Sequence, residues 1–253
     1  AETHAWRFPA FAARYNLLPP FPEHPGELPQ ADGWQALRFK NREVELYLKP
    51  LGPAEAPVVV VREGLAEGRA ELADPSDRPD RPLASVRLGD SARLVESTRL
   101  TVPAGAPWLR LRLTSPDAFG WQVQHDRRVA VVLADPRGAL LPFLLPRAFG
   151  TLVEGAREVS LRLEVTGEGF HSATLYDPAG APVRRVLRFV DFEDPGRYEL
   201  ELKAPVSGPR QGWSLELNAV KVLRVEGFLP WWSARAEDWF NPEQSGALEP
   251  RSP

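Results

Sequence analysis

The chain has 253 residues with a formal net charge of −3, 43% hydrophobic and 26% charged residues, a composition that excludes wholesale disorder. The slight negative charge argues against nucleic acid as the main partner. Because the sequence contains no cysteine, it excludes disulfide bonds, cysteine nucleophiles, iron–sulfur clusters and zinc sites with cysteine ligands.

The composition also bears on where the protein works. The sequence has no methionine and 27 prolines, which favours a protein kept at high temperature, although GC-rich codon usage would select similar residues. Ala1 suits the residue that a removed export signal leaves behind, so we expect an extracellular or cell-envelope location. The longest apolar run, residues 138–146, falls well short of the roughly 18 residues of a membrane-spanning helix and predicts no transmembrane segment.

Residues 1–33 are predicted to form an N-terminal arm that is rich in proline and aromatic residues. Its six prolines keep the segment extended, and its aromatic side chains need a surface on which to dock. These aromatic residues are Trp6, Phe8, Phe11, Tyr15 and Phe21.

From residue 34 onwards, apolar and polar residues alternate with a period of two, as half-buried β-strands require. The clearest alternating rows begin at Val44, Leu109, Val159, Tyr198 and Trp213. Glycine, proline and aspartate separate these rows, and no stretch longer than about two turns has an apolar helical stripe. The sequence therefore predicts an all-β fold of antiparallel sandwiches of the jelly-roll or immunoglobulin-like type.

An internal repeat predicts two related sandwiches in tandem. Residues 111–124 resemble residues 200–216, because in each an alternating strand leads through a proline-containing loop to a Gly-Trp pair that opens the next strand. We expect Trp121 and Trp213 to fill equivalent places in two cores. The alternative is a single larger sandwich with similar hairpins. The predicted sandwich domains are residues 34–148 and 149–228.

The tail, residues 229–253, concentrates aromatic side chains that we single out as candidate contacts for a ligand or partner. Trp231 and Trp232 are adjacent and point to opposite sides of an extended segment, so we expect one of them to stay exposed. Ser233 is expected to cap one short helix, which Asn241 and Pro242 would end. The candidate contact residues are Trp231, Trp232, Trp239 and Phe240.

Part of the second half matches a known module in its strand and turn motifs. The matching segments are Val159–Leu163, Ala173–Gly180, Gly196–Leu200 and Gly212–Leu217. Together they resemble a bacterial pre-peptidase C-terminal domain, a small jelly-roll-like module appended to secreted proteases and other exported enzymes. The resemblance implies an accessory role outside the cytoplasm and implies no chemistry.

The sequence contains no recognisable catalytic or metal-binding motif. Its four histidines lack metal-ligand spacing, and no serine stands in a G-x-S-x-G motif. We therefore predict no catalytic residue, metal or cofactor. The adjacent Glu237 and Asp238 lie among tail aromatics, a setting that suits the stacking of a sugar, although a surface helix that docks through its aromatics is the preferred interpretation.

Three functional hypotheses from different classes follow. The leading one is a non-catalytic exported β-sandwich that acts as a binding or accessory module, with carbohydrate as the candidate ligand. The second is a structural or assembly subunit whose terminal arms contact neighbouring subunits, which predicts an oligomer. The third is a glycoside hydrolase whose two carboxylates come together from different loops.

Overall fold

A computed structural model describes residues 34–39, 42–63, 66–74, 82–89, 95–116, 120–134, 147–191, 193 and 196–245. The chain divides into two compact units, Ala1–Trp34 and Gln35–Pro253, and every described strand belongs to the second unit. The predicted N-terminal arm, residues 1–33, and the last part of the tail, residues 246–253, lie outside the described residues.

Antiparallel strands make up most of the described structure, which confirms the all-β prediction. The strands of the first half are β1 (Gln35–Phe39), β2 (Glu43–Pro50), β3 (Ala56–Glu63), β4 (Gly68–Ala73), β5 (Ala84–Leu88), β6 (Val95–Val102), β7 (Leu109–Thr114), β8 (Trp121–His125) and β9 (Val129–Ala134). Those of the second half are β10 (Ala148–Gly150), β11 (Glu158–Thr166), β12 (Gly169–Tyr176), β13 (Pro182–Val190), β14 (Arg197–Pro205), β15 (Trp213–Asn218), β16 (Val220–Glu226) and β17 (Trp231–Ser233). Two short 3₁₀ helices follow, Ala236–Asp238 and Pro242–Ser245, and the described part of the chain holds no helix with the length and hydropathy to cross a membrane.

The strands form three sheets. A four-stranded sheet has the order β1-β8-β3-β6, and a three-stranded sheet has the order β14-β11-β16. A ten-stranded sheet has the order β13-β12-β15-β10-β17-β9-β2-β7-β4-β5. Inward-facing apolar side chains of all three sheets join in one hydrophobic core, so the predicted alternating rows become the inner faces of sandwiches.

The internal repeat corresponds to strands that change sheet. β7 belongs to the ten-stranded sheet and β8 to the four-stranded sheet, whereas β14 belongs to the three-stranded sheet and β15 to the ten-stranded sheet. Trp121 and Trp213 open the second strand of each pair, and both are buried in the core as predicted. In both copies of the repeat, the chain therefore passes from one sheet to another, and a tryptophan is the first residue of the second strand.

The ten-stranded sheet runs through both predicted sandwich domains. β17 lies between β9 and β10, since Ser233 is the register partner of Val132 on one side and of Phe149 on the other. The sheet and the core are therefore continuous across residues 148 and 149. The division into residues 34–148 and 149–228 stays a prediction.

The beginning of the tail has two 3₁₀ helices where one helix capped by Ser233 was expected. Ser233 lies inside β17, and its hydroxyl donates to the carbonyl of Arg235 at 2.6 Å. Asn241 and Pro242 start the second 3₁₀ helix, because the Asn241 side-chain oxygen accepts a hydrogen bond from the Glu243 backbone N–H at 3.0 Å. The prediction for these residues was wrong because an Asn-Pro pair also suits the first positions of a helix.

Candidate binding surface

The four candidate residues of the tail pack against the rest of the chain. Trp232 is 1% exposed and belongs to the large core, whereas Trp231, 6% exposed, points to the opposite side of the sheet. Phe240 is buried beside Trp231, and Trp239 is half-buried. The expectation that one of the two adjacent indoles stays exposed is therefore wrong.

A second apolar cluster, on the outer side of the ten-stranded sheet, explains why both indoles are buried. The ring of Tyr47 lies 5.0 Å from that of Trp231 and 5.0 Å from that of Trp108. The Trp239 indole N–H donates to the carbonyl of Trp231 at 2.9 Å, which ties the tail to the cluster. Ligand binding at the four tail residues stays a prediction, and their burial leaves only part of Trp239 within reach of a ligand.

Several large apolar side chains are exposed instead on the hairpin β12–β13. Phe170 is 63% exposed, and Phe189 and Leu187 are each 56% exposed. Phe170 and Phe189 are cross-strand partners whose ring centroids lie 4.8 Å apart with planes at 51°. We call the outer side of β10, β15, β12 and β13 the aromatic face. Its main apolar side chains are Phe149, Phe170, Tyr176, Leu187 and Phe189.

Arg147 contacts two aromatic rings at the end of the aromatic face that lies away from Phe170 and Phe189. Its guanidinium lies 4.0 Å from the ring centroid of Tyr176 and 5.5 Å from that of Phe149. The Arg147 Nε donates to the Ser214 hydroxyl at 2.7 Å. The Tyr176 hydroxyl donates to Glu216 at 2.7 Å, and this hydrogen bond raises the pKa of the phenol. These contacts hold the guanidinium of Arg147 over the ring of Tyr176.

Polar groups lie between the two ends of the aromatic face. Phe170 and Tyr176 are on the same side of β12, about 20 Å apart along the strand. Ser172 and Thr174 point to that side between them and are buried among their neighbours. The Asn218 amide donates to the carbonyl of Phe170 at 3.2 Å. The face thus has aromatic rings at both ends and hydroxyl and amide groups between them.

The opposite outer side of the second half, formed by β11, β14 and β16, carries charged side chains. Glu164 is buried between Arg197, with which it forms an ion pair, and Lys221, whose Nζ lies 3.5 Å away. Further ion pairs join Arg162 to Glu199 at 3.8 Å, Lys203 to Glu201 at 2.8 Å and Arg224 to Glu226 at 2.6 Å. No large exposed hydrophobic residue lies on these three strands. We call this side the charged face, and its composition is that of a surface in contact with water.

Sequence reasoning missed Phe170, Leu187 and Phe189. In β13 the apolar residues occupy both sides of the strand, with Val190 buried while Leu187 and Phe189 face outwards. Such a strand lacks the single apolar row that marks one side as the core. The sequence signal for this exposed surface is that apolar residues occur in both alternating rows of β13.

The adjacent Glu237 and Asp238 do not face each other. Asp238 is buried and accepts two hydrogen bonds from Arg235, at 2.8 Å and 2.7 Å, which raise the pKa of the guanidinium. The Glu237 side chain is exposed, with its carboxylate 3.4 Å from the Arg235 Nε. The ion pair between Arg235 and Asp238 therefore stabilises the first 3₁₀ helix. Within the ranges that the structure describes, no group of three or more His, Asp or Glu residues could hold a metal ion.

His125 is buried at the end of β8. Its Nδ1 lies 3.0 Å from the carbonyl oxygen of Val129, so this nitrogen carries the proton and donates it. Its Nε2 is buried and has no hydrogen-bond partner among the residues described. Burial lowers the pKa of His125 below the usual 6.5, while Asp238 raises it and Arg235 lowers it through their charges.

Acidification is expected to destabilise the fold through His125. Because burial lowers the folded-state pKa, the unfolded chain binds a proton near pH 6.5 that the folded chain does not bind. The free energy of unfolding should fall by up to about 1.4 kcal/mol per pH unit until the folded-state pKa is reached. Urea unfolding of the chain and of His125→Asn, at neutral pH and at about pH 5, measures this effect. A stability difference between the two proteins that does not change with pH would contradict it.

Comparisons with known proteins do not assign a family. No family model and no curated protein matches the sequence. Among solved structures, a glycosyl hydrolase family 2 member from Bacteroides cellulosilyticus is similar over 79% of this chain, with 12% sequence identity and a TM-score of 0.23. The match spans 30% of the length of that chain. A likeness of this size identifies neither a family nor an activity.

Proposed function

We propose that this chain is a non-catalytic binding module of a secreted or cell-envelope protein and that its ligand is a carbohydrate. The supporting observation is the contrast between the two outer sides of the second half. Ion pairs cover the charged face, whereas the aromatic face exposes Phe170, Leu187 and Phe189 to water. Contiguous exposed apolar surface favours a ligand that covers it.

The chemistry of the aromatic face suits a sugar chain. A sugar ring presents C–H groups that pack on an aromatic ring, together with hydroxyl groups that need hydrogen-bond partners. Phe170 and Phe189 supply the rings at one end, and Asn218 supplies an amide beside them. Tyr176 and Arg147 supply a ring and a cation at the other end. The length of about 20 Å between the ends favours an extended oligosaccharide over a single sugar.

The double substitution Phe170→Ala and Phe189→Ala is expected to weaken polysaccharide binding by about tenfold or more, since full burial of a phenylalanine side chain contributes about 1.5–3 kcal/mol and 1.4 kcal/mol corresponds to about tenfold in affinity. Binding is measured as retardation of the full chain in native gels that contain soluble xylan, β-glucan, mannan or pectin. Calorimetry with the polysaccharide that retards the chain most then gives the affinity.

The matched control is Leu51→Ala with Leu83→Ala. These leucines are 51% and 53% exposed and lie outside the aromatic face, so their removal should leave retardation unchanged. The proposal fails if none of the polysaccharides retards the chain. It also fails if the control variant loses as much binding as the phenylalanine variant.

Two alternatives have less support in the described residues. For assembly through terminal arms, the tail would have to offer its aromatic side chains to a neighbour, but Trp231 and Phe240 are buried within their own chain. The N-terminal arm, residues 1–33, lies outside the described residues. For glycoside hydrolysis, the singled-out Glu237 and Asp238 do not face each other, and Asp238 is buried and forms an ion pair with Arg235. We therefore place the binding module first.

A further inference from the structure

β13 forms one edge of the ten-stranded sheet, so one side of its backbone is not hydrogen-bonded to any of the described strands. The strand is nine residues long and contains three arginines, Arg184, Arg185 and Arg188, with no aspartate or glutamate. None of the three arginines forms an ion pair with a described residue, and Arg188 stacks on the ring of Tyr198 at 3.7 Å. The edge is therefore positive and carries backbone hydrogen-bonding groups that do not pair with any described strand.

Three of the other edge strands carry charges that are paired. On β5, the opposite edge of the same sheet, Arg87 pairs with Glu67 at 3.4 Å. On the edge strand β14, Lys203 pairs with Glu201, and on the edge strand β16, Arg224 pairs with Glu226. The remaining edge strands, β1 and β6, contain one arginine each. Among the edge strands of the described sheets, β13 therefore carries the most positive charge without an ion-pair partner.

Exposed apolar side chains distinguish β13 further. Val183, Leu187 and Phe189 are three of the six large hydrophobic residues exposed in the described structure, and a fourth, Phe170, is the cross-strand partner of Phe189. Charged residues alone on an edge strand serve to prevent unwanted pairing. Large exposed apolar residues on the same strand work against that purpose, because they favour contact with another chain.

We propose that β13 binds an extended acidic segment of another protein, which adds to the ten-stranded sheet as an eleventh strand. The backbone of the segment pairs with the open side of β13, as in β-augmentation. Arg184 and Arg188 lie on one side of β13, whereas Arg185 lies on the other side with Leu187 and Phe189. A segment that alternates carboxylates with apolar residues therefore places its carboxylates beside Arg184 and Arg188 and its apolar residues beside Leu187 and Phe189. This interaction goes beyond the carbohydrate binding proposed above, because it uses the backbone of the edge strand, and the two ligands share contacts with Leu187 and Phe189.

A second copy of the same chain is a poor occupant of this edge. Two β13 strands bring together six arginines and no carboxylate. Antiparallel pairing centred on Val186 would place Arg184 of each copy opposite Arg188 of the other. Like charges directly opposite each other destabilise a strand pair. An acidic segment avoids this repulsion, so charge complementarity favours an acidic partner over a second copy of the chain.

Two nine-residue peptides with fluorescent labels test the proposal on the full chain, one alternating valine with glutamate and the other alternating valine with lysine. We expect fluorescence anisotropy to show binding of the glutamate peptide only. Amide hydrogen exchange with this peptide bound should slow at alternate residues of β13 and remain unchanged in β5, the opposite edge. Alternate protection is expected because successive amides of a strand point to opposite sides.

Arg184→Gln with Arg185→Gln should weaken binding of the glutamate peptide by about tenfold, whereas the matched Arg162→Gln with Arg224→Gln on the charged face should not. Both arginine pairs are exposed, so unfolding midpoints should stay unchanged. Equal binding of both peptides, or binding without slower exchange in β13, overturns the proposal. A chain that binds polysaccharide but neither peptide refutes only the strand site, whereas peptide binding without polysaccharide binding refutes only the carbohydrate proposal.

Discussion

Replacing Arg62 with alanine is expected to lower the free energy of unfolding by about 3–5 kcal/mol. Arg62 lies in β3 and is completely buried. Its guanidinium donates to the Ser115 hydroxyl at 2.8 Å, to the Gly120 carbonyl at 3.3 Å and to the Ala66 carbonyl at 3.4 Å. Alanine would remove this donor from the Ser115 hydroxyl and the Ala66 carbonyl, whereas the Gly120 carbonyl would keep the Glu63 backbone N–H at 2.9 Å. An unsatisfied buried polar group costs about 1–3 kcal/mol.

The packing around Arg62 adds to this effect. Its guanidinium lies 5.1 Å from the ring centroid of Trp121. A Cβ atom at Gly68 would come within 2.6 Å of the same indole and 2.9 Å of the Arg62 Nε, so the three residues fit closely. A cavity at this position would therefore be lined by groups that cannot easily close it.

Urea unfolding measures the change, with Arg112→Ala as the matched control. Arg112 is exposed and pairs with Glu43 at 2.7 Å, so its loss should cost about 1 kcal/mol or less. Arg62→Lys is expected to recover only part of the stability, because an ammonium group cannot reproduce the planar set of donors. Equal costs for Arg62→Ala and Arg112→Ala would contradict this account.

Trp232→Ala is expected to cost about 3–5 kcal/mol as well, the usual range for removal of a fully buried tryptophan. The Trp232 ring lies 4.7 Å from that of Phe228. A Cβ atom at Gly150 would lie 2.8 Å from the Trp232 ring, which shows how closely β10 approaches it. The substitution would open a cavity at the strand that joins the two halves of the ten-stranded sheet.

Trp239→Ala is the matched control for this second experiment, because it removes an indole from the same tail at a half-buried position. Its cost should be clearly smaller than that of Trp232→Ala. Denaturant titration of both variants gives the comparison. A larger loss for Trp239→Ala would mean that the outer cluster stabilises the tail more than the core does.

Much of the fold follows from residues that alternate without ambiguity. In β11, Val159, Leu161, Leu163 and Val165 are all buried, as the period of two predicts. Local patterning determines which side of such a strand faces the core, and the crossover ending in Trp121 or Trp213 repeats the same local chemistry. These features depend on neighbours in the sequence, so a single sequence contains them.

The position of a strand within a sheet depends on residues far away in the sequence. The sequence places Trp231 and Trp232 on opposite sides of a strand, but it does not reveal that Tyr47 and Trp108 form an apolar surface for the outward indole. In the same way, Phe170 and Phe189 are exposed because no segment of the described structure covers them. A single apolar row therefore does not identify the candidate surface, and the only local signal for it is that both rows of β13 contain apolar residues.

The place of β17 also has a consequence for how the chain folds as it is made. Within the ten-stranded sheet, β9 and β10 are joined only through β17, yet it is the last of the described strands to leave the ribosome. When β16 has been synthesised but β17 has not, the strands on each side of β17 can already pair with one another. β9 and β10 then each lack a neighbouring strand on the side that β17 will occupy. The two halves can thus form one after the other, as the chain emerges, and become a single sheet only at the end.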